Sequence, residues 1–285
     1  MKKTFFIISI ISFFSVVAQT SFKLKQKHPI SETTKDIIYG DNKKAGNYYS
    51  VRGIKIYCEI YGHGEPLLMI HGNGGSISDF RMNISYFSKK YKVIVADNRS
   101  QGKTKDKADS LSYEMMADDI AVLLDTLHID SANVIGWSDG GIDGLLLAMR
   151  HPEKVKKLAI TGANLWPGTN AIVESSVNGD KKRIEELITK TKKTDAELNE
   201  YKLLKLMEEQ PNISTESLSS VQCPTLVMAG DHDLIKLEHT LLIYQNIPKA
   251  YLWIVANSSH STLQDQKKLF NEMVDEFFTK PFHQF

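Results

Sequence analysis

Between residues 54 and 255, short apolar segments rich in Val, Ile and Leu alternate with stretches of helical period, and one junction between the two reads Gly136-Trp137-Ser138-Asp139-Gly140. That alternation constrains the chain more than any other feature. Continuous apolar runs at residues 67–70, 92–96, 132–137, 157–161, 225–229 and 250–255 lack the polar alternation of a half-exposed strand, so each must be buried on both faces. Helices between successive runs supply that cover, which predicts an α/β protein with a mostly parallel sheet flanked by helices. Residues 54–61 alternate and suit a further strand. Ser112 can cap a helix to Leu127, with Met116, Ile120, Leu123, Leu124 and Leu127 on one face. A second helix runs from Asp139 to about Arg150, where His151-Pro152 stops it, and a third covers residues 267–278.

The junction carries chemistry because of where it sits. Between a strand and a helix, the glycines of G-x-S-x-G let the backbone turn sharply and hold Ser138 in a strained conformation at the C-terminal edge of the sheet. Its hydroxyl then stands at a helix N-terminus, where developing negative charge is favoured. The bland alternative is an inert serine in a Gly-rich turn. Serine attacks only when a base takes its proton, and in this architecture the acid and the histidine follow it along the chain. Gly230-Asp231-His232-Asp233 follows the strand at 225–229; Asp233 is the candidate acid, with Asp231 the alternative that would only bind turn amides. Asn257-Ser258-Ser259-His260 brings an imidazole to the same edge. Of the nine histidines, two lie in tails (His28, His283), one inside a helix (His239), three in turns (His71, His151, His232) and two in surface loops (His63, His128), which leaves His260 as the base.

A tetrahedral intermediate needs oxyanion donors. The backbone N–H of Asp139 is one, and the loop His71-Gly72-Asn73-Gly74-Gly75 supplies the other, with Asn73 the candidate. That loop lacks the Gly-Lys-Ser/Thr ending of a phosphate cradle. Trp137 and Trp166 are candidate substrate contacts. Such a site needs no metal and no organic cofactor.

Between residues 165 and 221 the strand-helix rhythm breaks into a loop and two charged amphipathic helices, near 180–191 and 195–209, which predicts a helical lid inserted between two core segments, 47–164 and 222–280. The N-terminus reads differently. Lys2 and Lys3 precede a 13-residue apolar run at 5–17 and the small-residue pattern Val16-Val17-Ala18, the layout of a secretory signal peptide. As a helix this run would span about 20 Å of a hydrocarbon core roughly 30 Å thick, too short for an anchor. Export is therefore expected, with residues 1–18 removed, a polar leader at 19–46, no stable membrane anchor after cleavage, and a tail at 281–285. An exported chain invites a disulfide, yet Cys58 falls in a strand and Cys223 just before another, which favours two free thiols. With 35 Lys and Arg against 34 Asp and Glu, there is no basic excess to neutralise phosphates, so a small-molecule ester and no nucleic acid is the expected partner. Oligomeric state is not legible here.

Taken together, His71-Gly72-Asn73-Gly74-Gly75, Asp97-Asn98-Arg99-Ser100-Gln101-Gly102-Lys103-Thr104, the junction at Ser138 and Val221-Gln222-Cys223-Pro224-Thr225-Leu226 resemble the α/β-hydrolase fold superfamily, over residues 48–278. Gly136-Trp137-Ser138-Asp139-Gly140-Gly141-Ile142, Ile160-Thr161-Gly162-Ala163-Asn164 and Val221-Gln222-Cys223-Pro224 are similar to the valacyclovir hydrolase group of α-amino acid ester hydrolases. That resemblance implies that Asp139 recognises the α-ammonium of a substrate. A carboxylate one residue from the nucleophile would attract a cation on the acyl group, whereas an acid that merely complements the helix dipole is the alternative. The lid sequence, the second acid Asp143 and the expected export depart from that group. Lactone, thioester or aminopeptidase-type amide hydrolysis and acyl transfer remain open on the same triad, as does a ligand-binding member of the fold that has lost catalysis.

Overall fold

A computed structural model describes residues 37–283; the expected signal peptide and residues 19–36 of the leader lie outside the described residues. One sheet holds eight strands among these residues: β1 (Gly46–Val51), β2 (Ile54–Tyr61), β3 (Glu65–Ile70), β4 (Tyr91–Ala96), β5 (Ala132–Trp137), β6 (Val155–Thr161), β7 (Thr225–Gly230) and β8 (Ala250–Val255). Their order is β1-β2-β4-β3-β5-β6-β7-β8. Only β1 and β2 run against their neighbours; from β4 to β8 every pairing is parallel. The interior strands are buried along nearly their whole length, as their unbroken apolar runs predict, but the run at 250–255 forms the edge strand β8, where Leu252 and Ile254 are exposed.

Alternate residues of each strand feed two cores. Leu68 and Ile70 of β3 join Val134, Leu158 and Ile160 on one face. That face is covered by α2 (Tyr113–Thr126), through Met116, Ile120, Leu123 and Leu124, and by α3 (Asp139–Arg150), through Leu145 and Leu147. Leu67 and Met69 point the other way. There they meet the short α1 (Ile84–Phe87) and α8 (Lys267–Thr279), whose Phe270, Val274 and Phe278 fill the second core. Ser112 caps α2 by accepting the Met115 N–H at 3.1 Å.

The first strand, β1, carries no apolar signal in GNYYSV; it forms because it pairs along its whole length with β2 as an edge hairpin. Ordered chain also begins earlier than the polar composition of residues 19–46 predicts. The buried carboxylate of Glu59 accepts the N–H groups of Gly40 and Asn42 and the hydroxyls of Tyr57 and Tyr61, all at 2.7–2.8 Å, and these bonds hold residues 40–42 against β2. Glu59→Ala leaves four donors without an acceptor. It is expected to cost roughly 3 kcal/mol of stability, read from the urea midpoint.

The lid contains α4 (Glu174–Thr189) and α5 (Asp195–Glu209). The second starts where expected, behind a capping box of Thr194 and Glu197. The first begins at Glu174 rather than near Asp180, so Asp180 stands inside the helix and not at its cap. Backbone bonds from Val173 to Leu234 and from Lys236 to Ala171 tie the lid's entry to the loop after β7. Asn199 of α5 donates to the Ser100 carbonyl in the loop after β4. The remaining helices are α6 (Leu237–Asn246), between β7 and β8, and the short α7 (Thr262–Asp265). Cys58 is buried, Cys223 is half-buried, and both are free thiols.

Candidate active site

The turn from β5 into α3 places Ser138 at φ 57° and ψ −121°, a left-handed conformation that a residue with a side chain rarely adopts. Its two glycines are there for room. A Cβ on Gly140 would stand 2.0 Å from the Ile70 carbonyl oxygen, and one on Gly136 would stand 2.2 Å from the carbonyl oxygen of Gly140. The end of β3 thus passes directly over the start of α3. Ser138 is held in turn by its N–H, which donates to the Thr161 carbonyl at 2.9 Å.

His260 reaches Ser138 from the loop after β8. Its Nε2 lies 2.9 Å from Ser138 Oγ and its Nδ1 lies 2.6 Å from Asp233 Oδ1. Asp233 is buried, and its Oδ1 also accepts the Ile235 N–H, which fixes the carboxylate. Asp231 does something else. Its two oxygens accept the N–H groups of Asn257 and Ser258 at 3.0 Å, and these bonds hold its pKa below the ordinary carboxylate value. It therefore shapes the loop that delivers His260. Trp137 Nε1 donates to the His260 carbonyl, a further tie on that loop.

Gly162, at the end of β6, leaves the space that the imidazole occupies. Its φ is +69°, and a Cβ there would lie 2.6 Å from His260 Cε1 and 2.8 Å from Nδ1. Gly162→Ala is expected to push the ring off Ser138 and lower kcat by about 100-fold in a folded protein. Near-UV circular dichroism together with kcat would check it; an undiminished kcat would show that the ring does not depend on that space.

The loop after β3 lies against the nucleophile, since a Cβ on Gly72 would be 3.1 Å from Ser138 Cβ. His71, fully buried, accepts the Asn98 N–H on Nε2 and therefore carries its proton on Nδ1, toward the Gly72 carbonyl. Burial lowers its pKa, so it is a neutral brace for the loop. The Asn73 side chain is committed to Asp139, with Nδ2 donating to Oδ2 at 2.8 Å. What the loop can offer an oxyanion is the Asn73 backbone N–H. Neither it nor the Asp139 N–H has a protein acceptor among the described residues.

Asp139 is 4% exposed. Burial pushes its pKa up to about 6, against the opposing hydrogen bonds from Asn73 and the Tyr113 hydroxyl and the proximity of His260. Asp143, one turn on and fully buried, accepts only from Asn98 Nδ2 and leaves Oδ1 without a partner; burial raises its pKa well above the ordinary carboxylate value. Of these two acids, Asp139 lines the cavity and Asp143 does not.

Ser138, Asp139 and His260 open onto a cavity of about 440 Å³ that Tyr113, Asn164 and the lid complete. Two of the expected substrate contacts are not on its wall. Trp137 turns toward the His260 loop and packs in the second core, because a side chain adjacent to the turn residue points away from the nucleophile's side. Trp166 stacks edge-on against His239 at 4.6 Å, in the base of the lid. Tyr113 and Asn164 line the cavity instead; Asn164 ends the segment Ile160-Thr161-Gly162-Ala163-Asn164 that carries the family resemblance, whereas no sequence pattern marks Tyr113. Among the described residues no three His, Cys, Asp or Glu side chains converge in the manner of a metal site.

Comparison with known proteins agrees with this architecture. Residues 65–197 match the family described as alpha/beta hydrolase fold. The serine hydrolase BPHL of Mus musculus is 27% identical over 248 residues, covering 80% of this chain and 84% of that protein. A protein named putative carbamate hydrolase RutD, from Azorhizobium caulinodans, is 26% identical over 77% of this chain and 93% of its own length. In structure, the meta-cleavage product hydrolase CumD of Pseudomonas fluorescens superposes with a TM-score of 0.67 at 24% identity, over 82% of this chain and 98% of that one.

Proposed function

Because the chain is a hydrolase of the α/β-hydrolase superfamily, with a resemblance to BPHL, we propose that it is a serine hydrolase that cleaves small esters bearing an α-ammonium group. The unbroken path from Ser138 Oγ through His260 to Asp233 at the floor of the cavity carries this reading. His260 takes the proton as Ser138 Oγ attacks the ester carbonyl. Asp233 holds the Nδ1 tautomer and stabilises the imidazolium, and the N–H groups of Asn73 and Asp139 receive the oxyanion. Collapse of the intermediate expels the alcohol with the proton from His260, and water then hydrolyses the acyl-enzyme by the reverse sequence. Export through the N-terminal segment belongs to the same proposal, and cleavage after Ala18 in the mature protein's N-terminal sequence would test it.

For the ammonium, Asp139 supports the choice. It is a carboxylate beside the nucleophile, braced by Asn73 and Tyr113, that faces the cavity. A charge-assisted hydrogen bond of about 1.5–3 kcal/mol would favour an aminated ester over its methyl isostere by roughly 10- to 100-fold. The ratio of kcat/KM for these two esters cancels every ionisation they share. It is expected to climb as pH rises through about 6, where Asp139 becomes charged in the free enzyme. It should fall again as the substrate amine, with a pKa of about 8 or somewhat lower in an ester, loses its proton. Asp139→Asn should flatten the ratio near 1. A pH-independent ratio in wild type, or one untouched by Asp139→Asn, would remove the ammonium from the proposal and leave a general esterase.

A further inference from the structure

The cavity contains a second carboxylate that the chemistry above leaves unused. Helix α4 turns Ser176, Val177, Asp180 and Ile184 toward it. Val177, Ile184 and Leu187 are buried, and Asp180 occupies the position between the first two in the same helical stripe, where the 3.6-residue period calls for an apolar side chain. Asp180 is half-buried and has no hydrogen-bond or ion-pair partner among the described residues; burial alone pushes its pKa upward. The other charged residues of that wall do not neutralise it. Lys181 and Glu208 are exposed at the rim, and Glu208 is paired with Lys205.

An unpaired carboxylate on an apolar lid stripe destabilises the empty site and repels anionic acids, so its place on the wall makes sense with a cation bound against it. Asp139 stands on the core wall of the same cavity and Asp180 on the lid wall. We propose that Asp180 is a second cation-recognising residue, so that the preferred substrates carry two positive charges: the α-ammonium beside the scissile carbonyl, and an ammonium or guanidinium a few atoms away. Esters of basic amino acids have this pattern, as do amino acid esters of a cationic alcohol. This inference rests on the reading of Asp139 as the α-ammonium site.

Three methyl esters separate the two carboxylates: lysine, norleucine, which lacks the ε-ammonium, and hexanoic acid, which lacks both amines. Alanine choline ester against alanine 3,3-dimethylbutyl ester asks the same of the alcohol side. In wild type, kcat/KM is expected to favour the second cation by about 10-fold in at least one of the two pairs, Lys over Nle or choline over dimethylbutyl. Asp180→Asn and Asp180→Leu should bring that ratio to about 1, and Asp180→Glu should restore part of it. Ratios within one variant cancel any difference in the amount of folded enzyme. If neither pair shows a preference that Asp180→Asn removes, while norleucine is still favoured over hexanoate, Asp180 has no such role and Asp139 keeps its own. If norleucine and hexanoate esters react alike, the α-ammonium reading fails and the dicationic substrate falls with it.

Discussion

Ser138→Ala is expected to lower kcat/KM for any ester the enzyme turns over by about 10⁴-fold or more, and to abolish labelling by a fluorophosphonate probe. The size follows from what remains. With the hydroxyl gone, the Asn73 and Asp139 N–H groups still polarise the carbonyl and His260 can still activate a water, but no acyl-enzyme forms and the proximity of a fixed nucleophile is lost. Stability should change little, because Ser138 Oγ bonds only to His260 and the left-handed backbone is enforced from outside. Gly140 presses on Ile70 and the Ser138 N–H is held by Thr161 whatever side chain residue 138 carries. Activity within about tenfold of wild type, or probe labelling that persists in Ser138→Ala, would move the nucleophile elsewhere.

The parts of the fold legible in the sequence are those set by local rules. Continuous apolar runs mark the interior strands because burial on both faces excludes polar alternation, and Gly136 and Gly140 mark the turn because a Cβ at either position would stand about 2 Å from a backbone carbonyl oxygen. What stayed hidden depends on contacts distant in sequence. β1 forms only through its pairing with β2, and residues 40–42 lie against β2 because the buried Glu59 carboxylate accepts the backbone N–H groups of Gly40 and Asn42. The direction of a side chain was the other blind spot. Trp137 and Trp166 flank the nucleophile and the lid in sequence, yet one bonds to the His260 loop and the other packs on His239, while Tyr113, more than twenty residues before Ser138, reaches Asp139. The amphipathic pattern places the first lid helix near 180–191, whereas α4 begins at Glu174, next to the Val173 N–H that is tied to the Leu234 carbonyl, so Asp180 stands inside it.

The two acids after β7 give the other large effect, because their sequence neighbourhood is nearly the same and their surroundings are not. Asp233→Asn replaces an acceptor that faces His260 Nδ1 with an amide that can present N–H. His260 would then carry its proton on Nε2, the atom that must accept from Ser138, and a loss of about 10⁴-fold in kcat is expected with little change in KM. Asp231→Asn keeps one acceptor oxygen where two backbone N–H groups now end, so it should lower the urea midpoint and leave kcat within about tenfold of wild type. Steady-state kinetics and urea unfolding of the two variants, run side by side, check the assignment. The opposite pattern, with Asp231→Asn inactive and Asp233→Asn active, would make Asp231 the partner of the base and demand a loop rearrangement, since its oxygens are spent on the amides of Asn257 and Ser258.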